Sequence, residues 1–208
     1  MMLARANCKA LPLTANSVDM IFTDPPYLRE FLPTYGWLAQ EAMRVLKPGG
    51  FVLAMCGGMY LNQIYRMFDD AGLTYFWEFQ HLSLNGEAPF VWHRSVIAHA
   101  KPILAYSKGA GVARIGGVHG AYTGRKDKRF HHWGQDIDSA RYYVDNFSAP
   151  GDLVLDPFVG GGTTLVACDL IGRRGLGFDL DPAALATTAL RLEQSDAPHA
   201  LPLFQVPA

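Results

Sequence analysis

The sequence predicts an α/β fold, in which a mostly parallel sheet carries helices on both faces. Apolar runs of strand length alternate with stretches of helical periodicity along most of the chain, a pattern typical of βαβ units. The chain has 208 residues, and 50% of them are hydrophobic. This length is enough to bury one good core, so we expect a single domain spanning residues 1–208.

The elements follow from these patterns in chain order. The apolar runs predict strands at Val18–Phe22, Phe51–Met55, Leu73–Phe79, Ile103–Tyr106, Leu153–Leu155 and Gly175–Phe178. The periodic stretches predict helices at Trp37–Leu46, Tyr60–Phe68, Ala140–Phe147, Thr163–Ile171 and Pro182–Leu192. Lys47-Pro48-Gly49-Gly50 stops the first helix, and a proline opens the last one.

The runs Asn85–His99 and Gly109–Gly134 do not fit the alternation. The second run is rich in glycine and carries several basic residues, namely Arg114, Arg125, Lys126, Lys128 and Arg129. We interpret it as an insertion or a long loop.

Composition limits the class of protein. The formal net charge is -1, so any binding to nucleic acid needs a local basic patch. The three cysteines are scattered, with neither a disulfide framework nor a zinc spacing, and we expect buried thiols. The histidines show no metal-ligand spacing, so no metal site is predicted. The sequence begins with no signal-like segment and has no bilayer-length apolar run, which predicts a cytoplasmic protein.

The stretch "TDPPY", Thr23–Tyr27, directly follows the first predicted strand. An acid, two prolines and an aromatic ring in succession form a stiff polar turn at the end of a buried strand. A plain turn, with the Tyr27 ring packed on the protein, is one interpretation. A site that uses the carboxylate and the exposed ring is the other.

A second stretch, "DLVLDPFVGGGTTLVACDLIGRRGLGFDLDP" from Asp152 to Pro182, reads as strand, glycine turn, helix, strand and acid. Glycines allow a ligand to approach the backbone, and an acid after the next strand can accept hydrogen bonds from ribose hydroxyls. No lysine follows the glycines, and the spaced dinucleotide fingerprint is absent. The unit therefore suits a nucleoside, although a tight turn with a solvated acid fits the same residues.

"DPPY" and "DPFVGGGTT", with Phe178-Asp179 at the end of the following strand, resemble the S-adenosylmethionine-dependent amino methyltransferases of DNA. That family methylates adenine N6 or cytosine N4. The catalytic motif precedes the cofactor motif, which is the permuted order of the group called beta. "ANCKALPLTANSVDMIFTDPPY" and "LKPGGFVLAM" also resemble this group, so the resemblance covers most of the chain outside residues 85–134. It implies the Rossmann-like methyltransferase sandwich.

The resemblance implies a catalytic role for Asp24, Pro25, Pro26 and Tyr27. The Asp24 carboxylate and the Pro25 carbonyl would accept the protons of the target amine, while the prolines keep the turn stiff. Preorganised acceptors lower the barrier because positive charge develops on the amine during transfer. The Tyr27 ring would stack on a base flipped out of the duplex.

The resemblance also implies a binding site for S-adenosylmethionine. The cofactor-binding residues on this basis are Asn7, Asp156, Phe158, Gly160, Gly162, Thr163 and Asp179, with Asp179 on the ribose. Asn7 stands where the family often has an acid near the adenine. The run from His131 to Phe147 departs from the usual segment at the methionine end, where Gln135 or Asp136 could serve.

Target recognition in this family uses a variable region, which we expect within residues 85–134. Arg125, Lys126, Lys128 and Arg129, near several aromatic residues, would contact the phosphates of DNA. A solvated basic loop is the alternative. So short a region predicts a short target or relaxed specificity, unless a homodimer or a partner protein adds surface.

The sequence thus predicts a DNA adenine-N6 methyltransferase acting on double-stranded DNA, in a bacterium or encoded by a phage. "DPPY" rather than "SPPY" favours adenine, and cytosine N4 is the close variant. The alternatives are a methyltransferase of RNA or of a protein amide, which the permuted motif order disfavours, and a non-catalytic binding subunit, which the intact Asp24 and glycine loop disfavour.

Overall fold

The computed structural model describes residues 1–82, 88–114, 117–123 and 136–194. Its main sheet has eight strands, and a separate two-stranded sheet is a short hairpin. The strands in chain order are β1 Met2–Arg5, β2 Val18–Thr23, β3 Leu46–Met55, β4 Thr74–Leu82, β5 Phe90–Val91, β6 Val96–Ile97, β7 Ala100–Ser107, β8 Ala121–Thr123, β9 Leu153–Asp156 and β10 Arg174–Asp179. The helices are α1 Leu32–Val45, α2 Leu61–Asp70, α3 Ile137–Phe147, α4 Thr163–Leu170 and α5 Pro182–Gln194.

The main sheet has the order β1-β10-β9-β2-β3-β7-β4-β8. Neighbouring strands from β1 to β3 pair in parallel, whereas β7 is antiparallel to both β3 and β4. Along the chain, β2 leads outward to β3 and β9 leads outward to β10, in opposite directions. The strand order therefore reverses between β2 and β9, and ligands of open α/β sheets bind at the carboxyl ends of the strands at such a point.

Helices cover both faces of the sheet. On one face, Tyr35 and Leu38 of α1 and Ile64 and Phe68 of α2 pack into one buried cluster. On the other, Tyr143 of α3 and Ala167 of α4 belong to a second cluster. The predicted α/β architecture with a mostly parallel sheet is confirmed.

The structure adds strands that the hydrophobic pattern did not predict. β1 is a four-residue edge strand beside β10, and three of its four residues, Met2, Ala4 and Arg5, are exposed, so it is not buried as a central strand is. The hairpin of β5 and β6 lies within Asn85–His99 and the short β8 within Gly109–Gly134, the two runs that do not fit the predicted alternation. The first helix starts at Leu32 rather than Trp37, because Pro33 occupies its first turn.

All three cysteines are buried free thiols, as predicted. Within the part of the chain that the structure describes, no helix has the length and apolar character needed to cross a membrane.

Candidate active site

The two sequence motifs meet at neighbouring strand ends. β2 ends at Thr23, directly before the Asp24 turn, and β9 ends at Asp156, directly before the glycine turn. The two strands are paired in parallel, and Thr23 Oγ1 donates a 2.7 Å hydrogen bond to Asp156 Oδ1. The predicted catalytic turn and the predicted cofactor turn therefore lie side by side at the point where the strand order reverses.

Asp156 is buried beneath the two turns, and its carboxylate accepts hydrogen bonds from the segments around it. The residue is 3% exposed, and its carboxylate also accepts hydrogen bonds from Thr164 Oγ1 at 2.6 Å and from the Phe158 amide at 3.1 Å. Desolvation raises the pKa of Asp156 to about 6, against the effect of its three hydrogen-bond donors. The Asp156 carboxylate is thus hydrogen-bonded to β2, to the glycine turn and to the start of α4.

Asp24 is accessible at the same edge. Its side chain is 24% exposed, and one carboxylate oxygen, Oδ2, lies 3.3 Å from the ammonium nitrogen of Lys101. The other oxygen accepts a hydrogen bond from the Tyr27 hydroxyl. Pro25 is buried and Pro26 is half-buried, so the turn is packed in place while the carboxylate remains within reach of a substrate.

Tyr27 presents a partly open aromatic ring. Its residue is 37% exposed, and the Lys101 ammonium lies 5.0 Å from the ring centroid, within the range of a cation–π contact. On another side the ring lies against Gly57, where an added Cβ would be 3.2 Å from Tyr27 Cβ. The alternative of a ring packed into the core is therefore not what the structure shows.

The glycine turn follows Asp156 and adopts conformations that favour glycine. Gly160 has φ +48° and Gly162 has φ +78°, and Gly162 directly precedes α4. A Cβ on Gly162 would lie 2.7 Å from Thr188 Cγ2, too close for any side chain. Gly162 is thus required by packing, while Gly160 is half-buried and an added Cβ there would make only an ordinary contact, 3.8 Å from the Phe158 carbonyl oxygen.

Helix α5 fixes this turn from behind. Thr188 Oγ1 donates to the Gly160 carbonyl at 2.8 Å, and the Arg191 guanidinium donates to the Gly161 carbonyl at 2.8 Å and to Thr163 Oγ1 at 3.0 Å. Thr188 and Arg191 are 0% and 3% exposed. The shape of the turn is therefore set by side chains distant in sequence.

Asp179 lies beside the glycine turn, at the predicted position for binding a ribose. It ends β10 and is half-exposed, and its carboxylate accepts hydrogen bonds from the amides of Gly160 and Asp181, both at 3.0 Å. Phe158, half-buried, lies between the Asp156 support and the turn. The carboxylate of Asp179 is thus oriented at the turn by backbone donors.

Asn7 lies at the same edge because β1 pairs with β10, with Arg5 opposite Asp179. The Asn7 side chain is used locally, since its oxygen accepts a hydrogen bond from the Lys9 amide at 2.9 Å. Asp136 caps α3 by accepting from the amides of Asp138 and Ser139. Gln135 lies outside the described residues.

The residues predicted to contact DNA phosphates, Arg125, Lys126, Lys128 and Arg129, also lie outside the described residues. What is described of the predicted recognition region includes the hairpin of β5 and β6. The chain leaves β4 at Leu82 and enters β7 at Ala100, so the hairpin is at the carboxyl edge that carries Asp24. Trp92 at its turn is 80% exposed.

Sequence reasoning missed four residues of the site, Lys101, Gly57, Thr188 and Arg191. Gly57 follows β3, the neighbour of β2, and Lys101 lies at the start of β7, on the other side of β3, so only the sheet order brings them to Tyr27 and Asp24. Thr188 and Arg191 are polar residues of a predicted amphipathic helix, where their spacing suggests a solvated face. Among the described residues, no group of three or more His, Cys, Asp and Glu side chains could hold a metal ion.

Comparison with known proteins agrees with this geometry. The sequence model of the family described as "DNA methylase" (N6_N4_Mtase) matches residues 137–189, which include the glycine turn and Asp179. The type II methyltransferase M.HpaI of Haemophilus parainfluenzae is 24% identical over 222 residues, covering 87% of this chain and 70% of that enzyme.

Two solved structures have the same fold. The M1.HpyAVI–SAM complex has a TM-score of 0.75 at 20% identity, covering 92% of this chain and 98% of that one. The PvuII DNA methyltransferase, described as cytosine-N4-specific, has a TM-score of 0.77 at 17% identity, covering 91% of this chain and 85% of that one. With both motifs at adjoining strand ends and the family match over the second of them, the chain is similar to the N6/N4 DNA methylases, the amino methyltransferase family that its motifs resemble.

Proposed function

We propose that this protein transfers a methyl group from S-adenosylmethionine to the exocyclic N6 amine of adenine in double-stranded DNA. The observation that carries the proposal is the hydrogen bond between Thr23 and Asp156, which joins the Asp24 turn to the glycine turn. Methyl transfer requires an acceptor and a donor held in line at short distance, so two such turns at adjoining strand ends suit it.

The residues at the glycine turn fit S-adenosylmethionine. Gly160 is half-buried and carries no side chain, so a ligand can approach its backbone, and Asp179 offers a half-exposed carboxylate to ribose hydroxyls. When bound, the cofactor supplies an electrophilic methyl group on a sulfonium. In this proposal Gly160, Gly162 and Thr163 face the cofactor through the turn and the helix start, with Phe158 and Asn7 beside it, and Asp156 supports the turn from within.

At the Asp24 turn, the chain's own groups act on the amine. An exocyclic amine is a weak nucleophile because its lone pair is delocalised into the base. In the proposed reaction the Asp24 carboxylate and the Pro25 carbonyl accept its two protons and favour the pyramidal form that attacks the methyl. These acceptors are preorganised by a packed, proline-stiffened turn, so they stabilise the developing positive charge without having to reorient.

Tyr27 would hold the flipped base. Extruding a base from the duplex costs roughly a few kcal/mol, and stacking on an aromatic ring recovers about 1–3 kcal/mol. Its ring is partly exposed beside Asp24, so a base stacked there would present its amine to the carboxylate. The Tyr27 hydroxyl, which donates to Asp24 Oδ1, would have to give way to that amine, while the Lys101 ammonium remains on Oδ2.

Adenine N6 is the finer part of the proposal, and it is based on the aspartate of "DPPY". Cytosine N4 is the second candidate, because a structural neighbour is described as cytosine-N4-specific and both amines suit the same acceptors. We also propose that the basic run with Arg125, Lys126, Lys128 and Arg129 contacts DNA phosphates, within a recognition region spanning residues 85–134.

Incubation of the purified protein with unmethylated DNA and isotope-labelled S-adenosylmethionine tests this function, with Asp24→Asn as the matched variant. Digestion of the DNA to nucleosides identifies the product. Label in N6-methyladenine that disappears in the variant is the expected result, and label in N4-methylcytosine would change the base only. Unlabelled DNA, with cofactor binding intact by calorimetry, would overturn the proposal.

A further inference from the structure

Lys101 contacts both residues of the Asp24 turn that face the proposed target base. Its ammonium nitrogen lies 3.3 Å from Asp24 Oδ2 and 5.0 Å from the centroid of the Tyr27 ring. The Tyr27 hydroxyl in turn donates to the other oxygen of Asp24. In this set of three side chains, which we call the Asp24 triad, each member contacts the other two.

The backbone of Lys101 is anchored where its side chain can reach this site. It is the second residue of β7, which is antiparallel to β3, and the carbonyl of the next residue, Pro102, accepts a 2.9 Å hydrogen bond from the Cys56 amide. β3 is in turn the parallel neighbour of β2. The ammonium thus reaches Asp24 from a sheet strand, which is more rigid than a loop.

We propose that Lys101 is a positioning residue for methyl transfer, one that fixes the direction of the Asp24 carboxylate and the face of Tyr27. This inference rests on the proposed function. The Asp24 side chain can rotate about its Cα–Cβ and Cβ–Cγ bonds, and an ammonium on one oxygen selects one orientation. An acceptor is effective only when it points at the proton it receives, so this orientation matters to the rate.

The ion pair of Lys101 and Asp24 is more buried than a typical surface ion pair. The Lys101 and Asp24 side chains are 21% and 24% exposed, whereas the Lys47 side chain of the pair with Asp19 is 44% exposed. Exposed pairs hold side chains weakly because solvent competes with them. A lysine that is mostly withdrawn from solvent and also lies over an aromatic ring has few other arrangements available.

The test compares Lys101→Met, which keeps the length of the side chain without its charge, with Lys101→Arg, which keeps the charge. In the labelled-cofactor assay, kcat of Lys101→Met should fall about tenfold to a hundredfold, the loss typical of a misplaced catalytic group. KM for S-adenosylmethionine should stay within about twofold, because the contacts are on the base side. Lys101→Arg should recover most of kcat.

A second readout does not depend on activity. Urea unfolding of the wild type, Lys101→Met, Asp24→Asn and the double variant forms a double-mutant cycle. If the two side chains hold each other, the loss in urea midpoint of the double variant is smaller than the sum of the two single losses.

The outcomes distinguish the two proposals. If the wild type labels no DNA, the proposed function falls. If the wild type is active and Lys101→Met has wild-type kcat, the positioning role is overturned. It is equally overturned if Lys101→Arg is as slow as Lys101→Met, because the charge at position 101 would then not determine kcat. Additive losses in urea midpoint would also overturn it, because they would show that Lys101 and Asp24 do not stabilise each other.

Discussion

Thr23 Oγ1 donates a 2.7 Å hydrogen bond to Asp156 Oδ1, and this contact joins the last residue of β2 to the last residue of β9. The two residues are 133 positions apart in sequence, yet Thr23 directly precedes the catalytic motif and Asp156 is the first residue of the cofactor motif. A buried carboxylate needs donors, and a threonine at a parallel strand end is placed to supply one. The hydrogen bond therefore fixes the distance between the two turns.

Thr23→Val should destabilise the protein and weaken cofactor binding. The change keeps the shape of the side chain but removes a donor from the carboxylate of Asp156, a residue that is 3% exposed. Loss of such a hydrogen bond costs about 1–3 kcal/mol. Urea unfolding and calorimetry with S-adenosylmethionine measure the two effects. Thr23→Ser keeps the hydroxyl and is the control, and equal losses in both variants would refute a role for the hydrogen bond.

Asp156→Asn should change how stability depends on pH. Burial raises the pKa of Asp156 from 3.8 to about 6, so between these values the folded protein holds a proton that the unfolded chain has released. The free energy of unfolding of the wild type therefore falls as pH rises through this window, by on the order of 3 kcal/mol from this group.

Asparagine carries no such proton, so that contribution to the slope is absent from the variant. Urea unfolding of both proteins from pH 4 to 7 gives the difference between the two curves, in which the other titrating groups cancel. We expect the stability of the wild type relative to the variant to fall with rising pH. Parallel curves would contradict a raised pKa at Asp156.

The buried strands and the helices were predictable from sequence because apolar runs and the periodicity of hydrophobic residues reflect which residues are buried. β2 and β9 are examples, since every residue of β2 except Asp19 is buried and the last three of β9 are buried. β1 was not predictable, because an exposed four-residue edge strand exists only through its pairing with β10. Local pattern carries no information about such pairing.

The same limit applies to the site. The residues of both motifs were predicted because each motif is a continuous stretch of sequence, such as Asp24 to Tyr27. Lys101 and Arg191 were not, because their contacts depend on which strand neighbours β3 and on how α5 packs over the glycine turn. From sequence alone, Lys101 and Arg191 cannot be told from charged residues that are exposed to solvent.

Gly162→Ala should weaken cofactor binding far more than Gly172→Ala. Both glycines have positive φ, +78° and +71°, so both substitutions carry the strain of a left-handed residue, roughly 1–2 kcal/mol. Only at Gly162 would the new Cβ meet an atom, Thr188 Cγ2 at 2.7 Å, whereas Gly172 has open space. Displacing Thr188 would release its hydrogen bond to the Gly160 carbonyl. Calorimetry with S-adenosylmethionine measures the effect, and equal affinities of the two variants would contradict it.

Gly57→Ala should impair use of the target base while leaving cofactor binding intact. A Cβ on Gly57 would lie 3.2 Å from Tyr27 Cβ, so the tyrosine must shift by a few tenths of an ångström, whereas Gly58 has nothing within 4 Å of its added Cβ. Gly57 has φ −79°, which alanine adopts without strain. A displaced ring stacks less well on a base, and we expect kcat/KM for DNA to fall about threefold to tenfold, since stacking is worth about 1–3 kcal/mol and only part of it is lost. Steady-state kinetics at saturating S-adenosylmethionine give this ratio for both variants. Gly58→Ala should match the wild type, and an equal loss there would show that the shift of Tyr27 is not the cause.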